Sequence, residues 1–212
     1  MNPKSILNLF SILILLFSFS YIFPIIVSVI YDDGALGLFT TTLAFVSLVG
    51  LSGLILTRNV KSDLSQKDGF VIIVMFWVVL SLAGSVPFFL SGMSLIDSIF
   101  ESMSGITTTG ATVISSLDAL PESILFYRQL LQWMGGMGLI VLAIAVMPLL
   151  GIGGGQIYKT EVPGAMGEQR LTPRIKETAQ ALWLIYFALT MICAILYYFN
   201  GMSAFDAISH SM

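Results

Sequence analysis

Charge is what this sequence has least of. Only 10% of its 212 residues are Asp, Glu, Lys or Arg, against 57% hydrophobic ones, and the mean hydropathy of +0.95 lies outside the range of water-soluble domains. Histidine and cysteine are each present once, as His210 and Cys193. One cysteine excludes an intramolecular disulfide. One histidine, with no Ser/His/Asp set, carboxylate pair or metal-ligand cluster around it, leaves little material for acid–base or metal catalysis, so an enzyme is not the expected reading. Neither a cofactor nor a nucleic-acid partner is expected.

In place of charge the chain has uninterrupted apolar length. Residues 6–30, 35–57, 70–90, 129–150 and 178–199 carry no charged side chain, and each matches the roughly 20 helical residues needed to cross a bilayer. The expectation is an all-α polytopic membrane protein. The first stretch is read as a retained anchor, because it is longer than a secretory signal and lacks a small-x-small cleavage site. With the N-terminus in the cytoplasm, every Lys and Arg except Arg128 falls inside, the distribution that the positive-inside rule demands. Asp32, Asp33, Asp97, Glu101, Asp118, Glu122 and Asp206 then lie toward the outer side. They are read either as a cation-concentrating face or as ordinary solvated loop residues.

This topology makes residues 91–128 an outer loop, yet they are not composed like one. SLIDSIFESM, 94–103, sets Leu95, Ile96, Ile99, Phe100 and Met103 at helical spacing on a face bounded by Asp97 and Glu101, and Ser94 with Asp97 forms an S-x-x-D start signal. A helix over 94–106 is about 20 Å long, which enters a bilayer without crossing it. The chain must then turn back at Thr107-Thr108-Thr109-Gly110. Threonines resist continuing the helix, glycine permits unusual backbone angles, and irregular backbone at membrane depth is tolerated where it lines a cavity. Backbone carbonyls there can replace the water shell of an alkali cation, with the negative end of the preceding helix behind them.

A lone TTTG occurs in many turns; a repeat says more. GMSLIDSIFESM at 92–103 recurs 109 positions later as GMSAFDAISHSM at 201–212, identical at seven of twelve positions without a gap. Repetition of a supersecondary unit implies that several copies assemble around a common feature. The second copy ends before any filter of its own, so the sequence is expected to be a piece of a longer chain. Both copies have the same orientation in the membrane. That favours a pore over an ion-coupled secondary transporter with re-entrant hairpins, many of which carry inverted repeats.

The runs FESMSGITTTGATV, LPESILFYRQLLQWMGGMGLIVLAIAVMPLLGIGG, PRIKETAQALWLIY and GMSAFDAISHSM closely resemble the TrkH/TrkG potassium-uptake proteins of the Trk/Ktr/HKT superfamily. That resemblance implies four helix–pore–helix repeats around one pore, as in a single-chain potassium channel, preceded by two extra helices. On this pattern 1–69 holds the extra helix pair and a cytoplasmic loop, and 70–150 is the first repeat with its filter. Residues 151–176 form a cytoplasmic loop, and 177–212 begin the second repeat. The resemblance assigns Thr108 and Thr109 as potassium-coordinating carbonyls, Gly110 as the filter glycine and Thr107 as its neighbour. It further implies potassium uptake across the bacterial inner membrane, a homodimer and a cytosolic nucleotide-binding regulatory subunit. The basic loop 151–176 is read as a docking surface for that subunit or as a plain positive-inside loop.

Other residues receive plainer expectations. Gly135, Gly136 and Gly138 of WMGGMGL are expected to serve close helix packing rather than a hinge. Pro148 marks a helix end or bend. Residues 151–156, GIGGGQ, form a turn and not a phosphate loop, since no Lys-Ser/Thr follows. Arg128 is expected to pair with Glu122 or a nearby carbonyl.

Overall fold

The computed structural model describes residues 3–58, 66–146 and 168–212. Lys61, Pro148, the 151–156 turn and Lys159 lie outside the described residues. Among those described, the chain is helical with no strand. In order the helices are α1 (Pro3–Ser18), α2 (Ile22–Tyr31), α3 (Leu36–Leu56), α4 (Gln66–Gly84) and α5 (Val86–Leu90). Then come α6 (Leu95–Ile106), α7 (Glu122–Val146), α8 (Glu168–Phe199) and α9 (Ala204–Ser211), with short 3-10 turns at Phe19–Tyr21 and Leu117–Ala119. Three described segments are long and apolar enough to cross a membrane: Pro3–Tyr31, Leu36–Leu56 and Gln180–Phe199.

The uncharged stretch 70–90, expected as one helix, is interrupted at Ser85, and its apolar part Val74–Leu90 is shorter. The cause is Pro87. It has no N–H to give the carbonyl of Ala83 four residues back, and the hydroxyl of Tyr21 donates to that carbonyl instead, at 2.7 Å. Tyr127 donates to the neighbouring Gly84 carbonyl at 2.9 Å. Two tyrosines from distant parts of the chain thus satisfy backbone acceptors at the break.

The same tyrosines sit at the centre of the core. The buried ring of Tyr127 lies 5.7 Å from Tyr21, 5.6 Å from Phe39 and 5.4 Å from Phe88, in tilted or edge-on contacts. One α7 side chain therefore joins the α1–α2 connection, α3 and α5. The α1–α3 contact relies on small residues, because a Cβ on Gly50 would lie 2.7 Å from Leu15 Cγ and one on Gly53 only 2.1 Å from Ser11 Oγ. Such positions let backbones approach closely, which is how helices gain dispersion contacts where lipid removes the hydrophobic drive between them. Asn8 donates to Thr57 Oγ1 at 2.8 Å and closes the same contact at its end.

Asp33, expected among the outer acids, is more than a solvated loop residue. Its Oδ2 accepts the backbone N–H of Ser123 at 2.8 Å, and its Oδ1 accepts from the Ala35 N–H at 3.0 Å and from the Ser28 hydroxyl. A carboxylate from the N-terminal hairpin thus caps the first turn of α7 from 90 positions away, at the positive end of the helix dipole. Burial pushes the Asp33 carboxyl up, but the hydrogen bonds from Ser123, Ser28 and Ala35 outweigh it and hold the group below its ordinary value. Because the folded-state pKa is depressed, the stabilisation is complete above the unfolded value of about 3.9 and is lost as pH falls through the folded one. Asp33→Ala is expected to cost about 1–2 kcal/mol at neutral pH, the usual range for a lost helix cap. Thermal unfolding in detergent checks this: the gap between wild type and variant should close as the pH is taken below about 4.

Candidate functional site

The two copies of the sequence repeat fold alike, and the geometry explains their shared residues. Helices α5 and α8 each end with a glycine in the left-handed region, Gly92 at φ +99° and Gly201 at φ +95°. The next residue donates back six-to-one, Met93 to the Phe88 carbonyl at 3.3 Å and Met202 to that of Tyr197 at 3.2 Å. This is the Schellman stop, in which a glycine avoids the Cβ penalty of positive φ. Two residues after each glycine a serine starts the next helix: Ser94 Oγ accepts the Asp97 N–H at 3.2 Å, and Ser203 Oγ accepts that of Asp206 at 3.1 Å. Each serine hydroxyl also donates to its aspartate, at 2.7 and 2.8 Å.

Helix α6 stops after 12 residues, as its sequence predicts, and by the same device with one difference. Thr108 N–H donates to the Gly105 carbonyl and Thr109 N–H to that of Ser104, each at 2.9 Å, but the left-handed residue is Thr108, at φ +58°. For a β-branched residue that conformation costs about 1–2 kcal/mol. Gly110 follows at φ +73°. The four N–H groups of 107–110 all point back into the helix end: Thr107 donates to Met103 at 2.9 Å and Gly110 to Ser104 at 3.3 Å, beside the two above. Among the described residues no hydrogen bond is accepted by the carbonyls of Thr107, Thr108, Thr109 or Gly110. Thr107 and Thr108 line a cavity of about 220 Å³ together with Trp77, Gly135 and Gly136.

Helix α7 closes the site from the side, and its glycines show how. A Cβ on Gly135 would lie 2.0 Å from the carbonyl oxygen of Ile106, the last residue of α6; one on Gly136 would lie 2.9 Å from the Tyr186 hydroxyl, and one on Gly138 3.7 Å from the Phe76 ring. The packing role expected for WMGGMGL holds for Gly135 and Gly136, whereas at Gly138 a Cβ would make only an ordinary van der Waals contact. Trp133 of α7 reaches α8, donating to Thr190 Oγ1 at 3.1 Å and lying 5.7 Å from the Tyr186 ring.

Two expectations for charged residues require correction. Among the described residues Arg128 pairs with neither Glu122 nor a carbonyl: its Nε donates to Glu101 Oε2 at 3.0 Å, with both side chains buried. Glu101 accordingly leaves the set of outer solvated acids. Its other oxygen, Oε1, accepts the Val113 N–H at 2.7 Å and the Thr112 hydroxyl. Sequence reasoning missed Glu101 because it sits at the margin of the apolar stripe. The face of α6 that packs inward is the small and polar one, Ser98, Glu101, Ser102 and Gly105, while Leu95, Ile96 and Phe100 are exposed. A signal was present: Ser98, Ser102 and Gly105 at four- and three-residue spacing mark a face on which another helix can approach closely. His210 occupies the position in the second copy that Glu101 has in the first; its Nδ1 lies 2.9 Å from the Asp206 carbonyl.

The TrkH family model, described as a cation transport protein, matches residues 37–212. The chain is 50% identical to the Trk system potassium uptake protein TrkH of Vibrio parahaemolyticus over 214 aligned residues and 48% identical to that of Escherichia coli K12, covering 100% of this chain in each case. It is 40% identical to the Escherichia coli K12 protein TrkG. The crystal structure of the potassium transporter TrkH from Vibrio parahaemolyticus superposes with a TM-score of 0.84 at 47% identity, over 100% of this chain and 42% of that one. The chain spans 44% of the length of the TrkH and TrkG relatives.

Proposed function

We propose, from the premise that this chain belongs to the TrkH family of cation transport proteins, that it supplies part of a potassium uptake pathway whose selectivity filter includes Thr107–Gly110. In this reading the carbonyls of Thr108 and Thr109 coordinate a desolvated potassium ion, Gly110 gives the backbone its freedom, and Thr107 supports them. One observation carries the proposal. Four successive carbonyls at the end of a helix too short to cross a bilayer accept no hydrogen bond from the described residues, while the matching N–H groups are all engaged. Free carbonyl dipoles in a row, two of them on residues that line a cavity, are what replacing a cation's water requires.

The rest of the reading follows the family. Residues 1–69 hold the additional helix pair and a cytoplasmic loop, 70–150 a first helix–pore–helix repeat and 177–212 the start of a second repeat; of the cytoplasmic segment 151–176, expected as loop throughout, residues 168–176 already belong to α8. The shared stop-and-start geometry at Gly92–Ser94 and Gly201–Ser203 supports that division. The membrane is the bacterial inner membrane, with the N-terminus cytoplasmic on the strength of the basic residues. The assembly is a homodimer served by a cytosolic nucleotide-binding subunit. Relatives of this chain are named as potassium uptake proteins, a transport role and not an enzymatic one. The ion-coupled re-entrant transporter is not favoured.

Gly110→Ser tests the filter. An added Cβ at 110 meets nothing within 4 Å, so the substitution acts through the positive φ and not through a clash. In the full-length protein carrying this sequence, potassium-over-sodium preference measured by ion replacement is expected to fall about tenfold, at unchanged membrane levels. Thr112→Ala should lower it less. Unchanged selectivity in the glycine variant would remove 107–110 from the permeation path.

A further inference from the structure

Glu101 is 2% exposed and touches three parts of the site at once. It stands on α6, its Oε1 accepts from Val113 and Thr112 on the returning segment, and its Oε2 accepts from Arg128 on α7. Thr112 in turn accepts the Ile114 N–H at 3.1 Å. A buried ion pair is weak evidence for stability, since desolvating both charges offsets most of their attraction unless further hydrogen bonds complete the site. Here they do: one carboxylate accepts three donors, and an ionised acceptor makes shorter and stronger bonds than a neutral one.

We propose that Glu101 is the positioning residue of the filter segment: its Oε1 holds the backbone at Val113, and Arg128 locks the carboxylate in the orientation that does so. The proposal rests on the filter reading above. Val113 lies three residues beyond Gly110, so a fixed point there, with Ser104 Oγ on the Ala111 carbonyl at 2.6 Å, bounds 107–110 at its far end. The near end is fixed by the α6 stop. Between two pinned ends, the free carbonyls keep one arrangement without any side chain touching the ion. The carboxylate is not repeated at the matching position of the second copy, which is His210.

Removing one partner alone strands a buried charge and tests stability instead, so the decisive variants are double. In the full-length protein, Glu101→Leu with Arg128→Met replaces the pair by apolar groups of similar volume. It should reach the membrane while potassium-over-sodium preference falls about tenfold. Glu101→Gln with Arg128→Met returns an amide oxygen to Val113 and should recover preference to within about threefold of wild type. A merely structural role would move protein level in both and selectivity in neither. Preference retained in the leucine–methionine variant while Gly110→Ser lowers it overturns the positioning role alone. If Gly110→Ser also leaves preference unchanged, the filter reading has failed. A glutamine–methionine variant as unselective as the leucine–methionine one overturns the claim that the acceptor acts. Should the leucine–methionine protein not accumulate, Thr112→Val decides, since it removes one donor to Oε1 and strands no charge. A fall of about threefold is expected, and none would overturn the proposal.

Discussion

Gly135→Ala is expected to prevent accumulation of correctly packed protein, although alanine is otherwise the better helix former by about 1 kcal/mol. The new methyl would lie 2.0 Å from the Ile106 carbonyl oxygen, 2.7 Å from its carbon and 3.1 Å from its Cα. All three are backbone atoms at the end of α6, so no rotamer change relieves the contact. Helix α7 must withdraw by about 1 Å or the end of α6 must shift, and either disturbs the carbonyls that follow directly. Overpacking of this kind costs about 3 kcal/mol or more. The measurement is the detergent-solubilised melting midpoint together with the fraction eluting as a single species. Gly136→Ala serves as comparison, because its methyl would press on the Tyr186 hydroxyl, at 2.9 Å, which is the far end of a side chain and can shift, unlike backbone. A normal midpoint for Gly135→Ala would mean that α7 does not abut the end of α6 as described.

Tyr127→Ala is expected to cost about 3–5 kcal/mol, the range for removing a buried aromatic side chain. The loss has two parts that a second variant separates. Tyr127→Phe keeps the ring contacts with Tyr21, Phe39 and Phe88 and removes only the donor to the Gly84 carbonyl. A buried acceptor left without its partner costs about 1–3 kcal/mol. Melting midpoints should therefore order wild type above phenylalanine above alanine. Equal midpoints for Tyr127→Phe and wild type would show that the α4–α5 break is satisfied without the hydroxyl.

Both predictions concern residues whose importance lies in what faces them, and this divides what could be read early from what could not. Helix stops and starts at 92–94 and 201–203 were legible, because glycine at positive φ and serine at an N-cap are local solutions repeated with the sequence. The short α6 and the irregular 107–110 were legible for the same reason. By contrast, the break at Ser85 needed Pro87 and also Tyr21 and Tyr127, 62 and 43 residues from the carbonyls they satisfy. The left-handed Thr108 was not legible either: threonine avoids that region, and only the surrounding hydrogen bonds hold it there.

The sequence by itself determined an apolar helical chain suited to a membrane, the repeated start signals at Ser94 and Ser203, the short helix and the turn that follows. Each depends on composition or on residues within one or two helical turns. Tertiary structure alone decided that Glu101 meets Arg128 and Val113, that Asp33 caps α7, and that Gly135 touches the end of α6. The physical reason is that a carboxylate, a cap or a missing Cβ has the same local signature whether it faces lipid, water or another helix. Its energy is set by the partner, and the partner is named only when distant segments of chain are brought together.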